Sequence, residues 1–215
     1  MEKSLVKDMT VGTPAKILIK FSIPMLIGNL FQQFYNMVDS IVVGRYVGAD
    51  ALAAVGSTGS LMFLISGLCF GLSAGISVVV SQYFGAKDYD RVKKSFATAT
   101  YLVVILSVAL GLIGIVSDRW LLQLINTPPS IIEQADIYMK ICFAGLLGVA
   151  SYNGMAGVLR ALGDSTTPLI FLIVASVLNV VLDLLFVVVF HWDVAGVAIA
   201  TIIAQYVSAI GCAIF

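Results

Sequence analysis

Charged residues divide the chain into six long uncharged windows, residues 21–38, 51–86, 95–117, 141–159, 165–182 and 194–215. A helix that crosses a bilayer needs roughly 20 mostly apolar residues, each rising about 1.5 Å. Five of the windows suit one crossing apiece. The second is 36 residues long, too long for one straight crossing and short for two crossings with a turn, which need about 40. It contains no Pro and no strong turn pair, so it reads as one long helix, tilted or extended beyond the bilayer. The pattern therefore predicts six helices over about 16–44, 51–84, 92–116, 131–161, 166–190 and 194–215, preceded by a polar segment over 1–15. The stretches between them are rich in turn-forming residues: 44–50, 85–91, 117–119 with 126–130, 163–168 and 191–193.

Composition changes the solvent rather than the pattern. Of 215 residues, 60% are apolar or aromatic and only 11% charged, with a mean hydropathy of +1.04. A soluble domain carries about a quarter charged residues. Twelve basic residues balance twelve acidic ones, so nothing points to a nucleic-acid partner, and the hydrophobicity excludes disorder. The expected fold class is an all-α membrane protein, a six-transmembrane-helix bundle. Lys and Arg set its orientation. A cytoplasmic N-terminus puts Lys3, Lys7, Lys16, Lys20, Lys87, Arg91, Lys93, Lys94 and Arg160 inside, against Arg45, Arg119 and Lys140 outside. No small-residue cleavage site follows the first apolar run, so a removable signal peptide is not expected. Trp120 and Trp192 fall beside exterior loops, where an aromatic belt would place them.

The cysteines, Cys69, Cys142 and Cys212, lie unclustered inside apolar windows and read as packing residues rather than a disulfide framework or zinc site. His191 reads as a solvated turn residue. Gly67, Gly71 and Gly75, spaced i, i+4, i+8 with Ser66, Ser73, Ser77 and Ser81 nearby, point to tight helix packing, with a substrate-lining role as the alternative. Pro24 removes a backbone hydrogen bond within helix one, giving a hinge or a static kink. Glu133, Asp136 and Lys140 read as a solvated start to helix four with an Asp136–Lys140 pair.

Two carboxylates interrupt apolar helices: Asp39 in helix one and Asp183 in helix five. An ionised Asp at mid-membrane costs at least ~2.5–3.5 kcal/mol on insertion scales, so it turns toward protein or water. Helix rise places Asp39 roughly 9 Å below the end at Arg45, and Asp183 and Thr201 roughly 12 Å below theirs. The three can therefore meet at one depth in the outer half. Asn29, Gln32, Gln33, Asn36, Asp39 and Ser40 form a polar stripe on helix one. Ser176, Asn179 and Asp183 form one on helix five, and Thr201, Gln205 and Ser208 one on helix six. Such faces normally turn to a water-filled cavity or a partner helix.

Taken together, these residues resemble the N-terminal lobe of a multidrug and toxic compound extrusion (MATE) transporter. The likeness spans the chain. Its markers are Pro24 with Gln32, the stretch Val38-Asp39-Ser40-Ile41-Val42-Val43-Gly44, the segment from Gly157 through Arg160 and Gly163-Asp164 to Pro168, and Asn179-Val180-Val181-Leu182-Asp183 followed by 194–201. The resemblance implies one six-helix lobe of a twelve-helix exporter that exchanges Na+ or H+ for organic, often cationic, compounds. The resemblance implies no enzymatic activity and no cofactor beyond the coupling ion. The implied cation site comprises Asp39, Asn179, Asp183 and Thr201, which would be metal ligands only under Na+ coupling. Gln32, Tyr138 and Asn153 would line or neighbour the cavity, as would Asn36 from the polar stripe. The implied partners are a small organic substrate, the lipid bilayer, and a missing C-terminal lobe or a second copy. The implied location is the plasma membrane, with the N-terminus cytoplasmic.

Rival functions make different demands. An intramembrane aspartyl protease would resemble Tyr-Asp and Gly-x-Gly-Asp motifs, whereas Val38 precedes Asp39, Leu182 precedes Asp183, and the Gly163-Asp164 pair falls in a loop. A lipid-linked-sugar flippase of related architecture predicts a cavity rich in Arg and Lys, which these spans scarcely contain. A half-length chain also fits a non-transporting assembly partner.

Overall fold

The computed structural model describes residues 13–214. Lys3, Lys7 and most of the expected N-terminal segment lie outside the described residues. Seven α-helices follow in order: α1 (Pro14–Val42), α2 (Ala49–Gly85), α3 (Tyr89–Leu124), α4 (Ile132–Ala144), α5 (Leu146–Ala161), α6 (Thr166–Asp183) and α7 (Asp193–Ile214). Five are long and apolar enough to cross a membrane, and α4 with α5 forms a sixth, broken span bent by 47°. The described residues thus form an all-helical membrane bundle of six spans, the bent α4–α5 pair counted as one.

Local chemistry sets the ends. Pro14 opens α1 at the position where its missing N–H is no loss. The helix then runs unbroken through Pro24, so no break marks that residue. α1 passes into a π-helical turn, Val43–Val47, and only Gly48, at φ +130°, separates it from α2. A side chain at that φ would be strained, so Gly makes the reversal possible. The expected loop over 44–50 is therefore almost entirely helical. Asp88 caps α3 by accepting from the Arg91 N–H at 3.1 Å. Asp164 caps α6 by accepting from the N–H groups of Thr166 and Thr167 at 2.9 and 3.0 Å. The long uncharged window is indeed one helix: α2 has 37 residues, roughly 55 Å at helical rise.

The extents of the third and fourth helices also need correction. The third helix does not stop near 116 but continues to Leu124, carrying Ser117, Asp118 and Arg119 inside it. Asp118 is tolerated there, only 2% exposed, because the Lys140 ammonium lies 3.6 Å away. Lys140 also pairs with Asp136 at 2.6 Å, the pair its spacing predicts. The fourth helix is not continuous: it breaks at Gly145, whose missing side chain admits Ile202 of α7 where a Cβ would collide with it.

α5 lies at the centre, packed on α2, α3 and α7, while α6 packs between α1 and α7. The tight α2–α5 seam is built by serines rather than by the glycine row. Ser73 Oγ donates to the Asn153 carbonyl at 2.6 Å and Ser77 Oγ to the Gly157 carbonyl at 2.9 Å. A Cβ on Gly157 would strike both hydroxyls, whereas a Cβ on Gly67, Gly71 or Gly75 would meet nothing within 4 Å. The packing role expected of those three glycines is therefore overturned within the described residues; their spacing is right, but the row points outward. Cys69 and Cys212 are buried and all three cysteines are free thiols. His191, at φ +55°, occupies an exposed turn beside Trp192, which stacks on Phe186.

Candidate functional site

Both membrane carboxylates lie where an α-helix gives way to a π-helical turn. Asp39 stands one turn before Val43–Val47, and Asp183 ends α6 immediately before Leu184–Val189. The two π turns pack against each other and against α7, which draws the ends of α1 and α6 together over one face of that helix. π turns are rare and recur at functional sites. Neither was legible in the sequence, because Val-Gly-Arg-Tyr-Val and Leu-Leu-Phe-Val-Val-Val carry no special signal for them.

The result is a cluster spanning three helices. Asn179 Nδ2 donates to Thr201 Oγ1 at 3.4 Å, and Thr201 Oγ1 donates to Asp39 Oδ2 at 3.4 Å. The carboxyl groups of Asp39 and Asp183 are neighbours in this cluster. Asp183 is 0% exposed and Asn179 1%. Four buried oxygens here have no hydrogen-bond partner: Asp39 Oδ1, Asn179 Oδ1 and both carboxylate oxygens of Asp183. Buried polar atoms are almost always paired, and an unpaired one costs about 1–3 kcal/mol. The existing bonds are long and correspondingly weak. The Thr201 Oγ1–Asp39 Oδ2 separation of 3.4 Å is also the spacing of two oxygens that ligate a hard cation at about 2.4 Å across a right angle. A void of about 10 Å³ bounded by Tyr35, Asn179, Thr201 and Gln205 adjoins the cluster, near the minimum that holds one water-sized species. The donor set of carboxylate, amide and hydroxyl oxygens suits a proton or a small hard cation.

Two further residues extend the cluster. Gln205 Nε2 donates to the Tyr35 hydroxyl at 3.3 Å, and Gln205 Oε1 is buried without a partner. Tyr35 had no polar label to draw notice, yet it stands four residues before Asp39, as Gln205 stands four after Thr201. Helical periodicity was the signal for both. Of the other candidates, Gln32 turns its amide toward Tyr35, and Tyr138 lies beside Cys142 with Asp39 and Tyr35 close by. Asn36 is exposed, its Nδ2 3.5 Å from Gln33 Oε1. Asn153 makes its bonds elsewhere: its Nδ2 donates back to the Val149 carbonyl at 2.8 Å. The polar stripe of α1 therefore splits into two adjacent rows. Gln32, Tyr35 and Asp39 turn inward, while Asn29, Gln33, Asn36 and Ser40 are exposed.

Six apolar spans around a buried polar cluster of loosely bonded oxygens define a multi-pass membrane protein with a polar site at its core. The MatE family model matches residues 24–185, and the chain belongs to that family. It is 37% identical over 198 residues to YpnP of Bacillus subtilis (strain 168), named a probable multidrug resistance protein; the match covers 92% of this chain and 44% of that protein. It is 26% identical over 200 residues to NorM of Thermotoga maritima, likewise named a probable multidrug resistance protein, covering 90% of this chain and 42% of the relative. Among solved structures it superposes on a MATE protein in the bent conformation with TM-score 0.88 at 30% identity, covering 94% of this chain and 45% of the other. It also superposes on a MOP superfamily transporter from Pyrococcus furiosus with TM-score 0.90 at 29% identity, covering 99% of this chain and 46% of the other. The chain spans less than half the length of the curated relatives it matches. Those relatives are named as multidrug resistance and export proteins, not as enzymes, and they favour neither the protease nor the flippase reading.

Proposed function

We propose that this chain is the cation-coupled lobe of an alternating-access antiporter that exports organic, chiefly cationic, drugs or metabolites. The observation that carries the proposal is the meeting of Asp39 and Asp183 beside Asn179 and Thr201, with four buried oxygens lacking partners. Two carboxylates in a low-dielectric site cannot both carry charge cheaply, so their protonation is coupled, and a proton or Na+ relieves the pair. A cation entering from the outside neutralises the cluster and lets α1 repack against α6 and α7, which weakens substrate binding in the outward-open state. A ligand shifts such an equilibrium only through different affinities for the two states, and a cation held by the clustered oxygens of Asp39, Asn179, Asp183 and Thr201 in one state but not in the other supplies that difference.

The exposed row Asn29, Gln33 and Asn36, with Gln32 beside it, forms one wall of the substrate cavity in this reading. A C-terminal lobe or a second copy forms the opposite wall. The lobe sits in the plasma membrane with its N-terminus in the cytoplasm, an orientation supported by the gathering of Lys16, Lys20, Lys87, Arg91, Lys93, Lys94 and Arg160 toward one end. The test is substrate transport in proteoliposomes, with the chain and a complementary lobe, under separately imposed pH and Na+ gradients. One gradient drives export, and Asp39→Asn abolishes that coupling while membrane insertion persists. Undiminished, gradient-driven export by Asp39→Asn at normal protein levels refutes the proposal.

A further inference from the structure

A groove of about 680 Å³ runs between α2 and α3, away from the carboxylate cluster. Its lining changes character along its length. At the deep end lie Gly71, Gly75 and Leu102; at the other end lie Tyr83, Arg91 and Lys94. From Gly71 to Tyr83 is twelve helical steps, roughly 18 Å, a large part of one leaflet's depth. The glycines make the room, since a Cβ at either would meet nothing within 4 Å. At the basic end, Arg91 lies over the Tyr83 ring, 5.6 Å from its centroid, and pairs with Asp88 at 3.2 Å. Lys94 has no ion-pair partner among the described residues, and Lys87 and Lys93 stand nearby in the sequence. Against Asp88 and Asp90, the run 87–94 keeps an excess of positive charge.

We propose that this groove binds an anionic phospholipid, its acyl chain lying over Gly71 and Gly75 and its phosphate facing Arg91 and Lys94. A long apolar slot with cations at its membrane-surface end is complementary to an amphiphile with an acyl chain and a phosphate, and its excess positive charge favours an anionic one over a zwitterionic one. The inference goes beyond the transport reading and needs only that the helices lie in a bilayer. The lipid would brace α2 against α3 at a seam where the protein's own side chains leave space.

The experiment uses the full chain in vesicles of equimolar phosphatidylcholine and phosphatidylglycerol. Either lipid in turn carries a photoreactive diazirine on its acyl chain, and labelled peptides are mapped by mass spectrometry. The phosphatidylglycerol probe should label the groove segments of α2 and α3 at least about fivefold more than the phosphatidylcholine probe, the contribution of roughly one basic side chain at a membrane surface. Arg91→Gln with Lys94→Gln, or Lys94→Gln alone where the double variant folds poorly, should bring the ratio toward one. Lys93→Gln should leave it unchanged, and Gly75→Leu should reduce labelling by both probes. Equal labelling by the two lipids, or a preference that survives loss of Arg91 and Lys94 charge, overturns the proposal. So does competition by excess inorganic phosphate, or exclusion of both probes by a second protein surface cross-linked over the groove.

Discussion

Replacing Asp183 with Asn tests the cation site without requiring a second lobe. The substitution keeps the shape of a side chain that is 0% exposed but removes one of two neighbouring carboxyl groups and one of four unpartnered oxygens. A ligand present at 100 times its Kd stabilises the folded state by about 2.7 kcal/mol. For a chain of this size each kcal/mol raises Tm by about 2–4 °C, so the wild-type shift should be about 5–11 °C. Losing one partner of a buried ionic contact costs about 3–5 kcal/mol, which weakens binding more than a hundredfold. At the same cation concentration the stabilisation of Asp183→Asn then falls to about 0.4 kcal/mol or less, a shift of no more than about 2 °C. The assay is thermal unfolding of the purified chain in detergent, titrated separately with Na+ and with acid. The titrant that stabilises wild type identifies the coupling ion. A wild-type Tm indifferent to both titrants, or a full shift retained by Asp183→Asn, would refute the reasoning.

Two further expectations concern the scaffold. Gly157→Val should destabilise by about 1–3 kcal/mol through overpacking, because the new side chain meets the Ser73 and Ser77 hydroxyls, whereas Gly67→Ala should be neutral or slightly stabilising by helix propensity; unfolding in detergent distinguishes them. Lys140→Met should lower Tm by leaving the buried Asp118 without its counter-ion, and adding Asp118→Asn should recover much of the loss. Failure of that recovery would assign Lys140 a role other than charge compensation.

Much of this architecture was legible because lipid imposes a single strong rule: backbone groups must be bonded within the segment, so long uncharged runs become helices. That rule accounts for the long apolar helices and for the undivided α2. It misplaced the end of α3, since a charge in the sequence does not reveal the counter-ion that lets it stay in a helix. Lys140 is close to Asp118 only after α3 and α4 pack. It also failed to foresee the break at Gly145, which depends on where Ile202 arrives from α7.

The candidate site divides the same way. Asp39 and Asp183 stand out in the sequence, because charged groups are expensive in apolar spans, and helical rise puts them at the depth of Thr201; grouping these three with Asn179 as one site rested on the family resemblance. Which face each presents is another matter. The outward turn of Asn36 and the glycine row, the inward turn of Tyr35, and the self-bonded Asn153 follow from the rotation of each helix about its axis. Periodicity defines faces but not which neighbour a face meets. That choice was made by tertiary packing, where two π turns draw α1 and α6 together over α7 and bring Asp39 and Asp183 face to face.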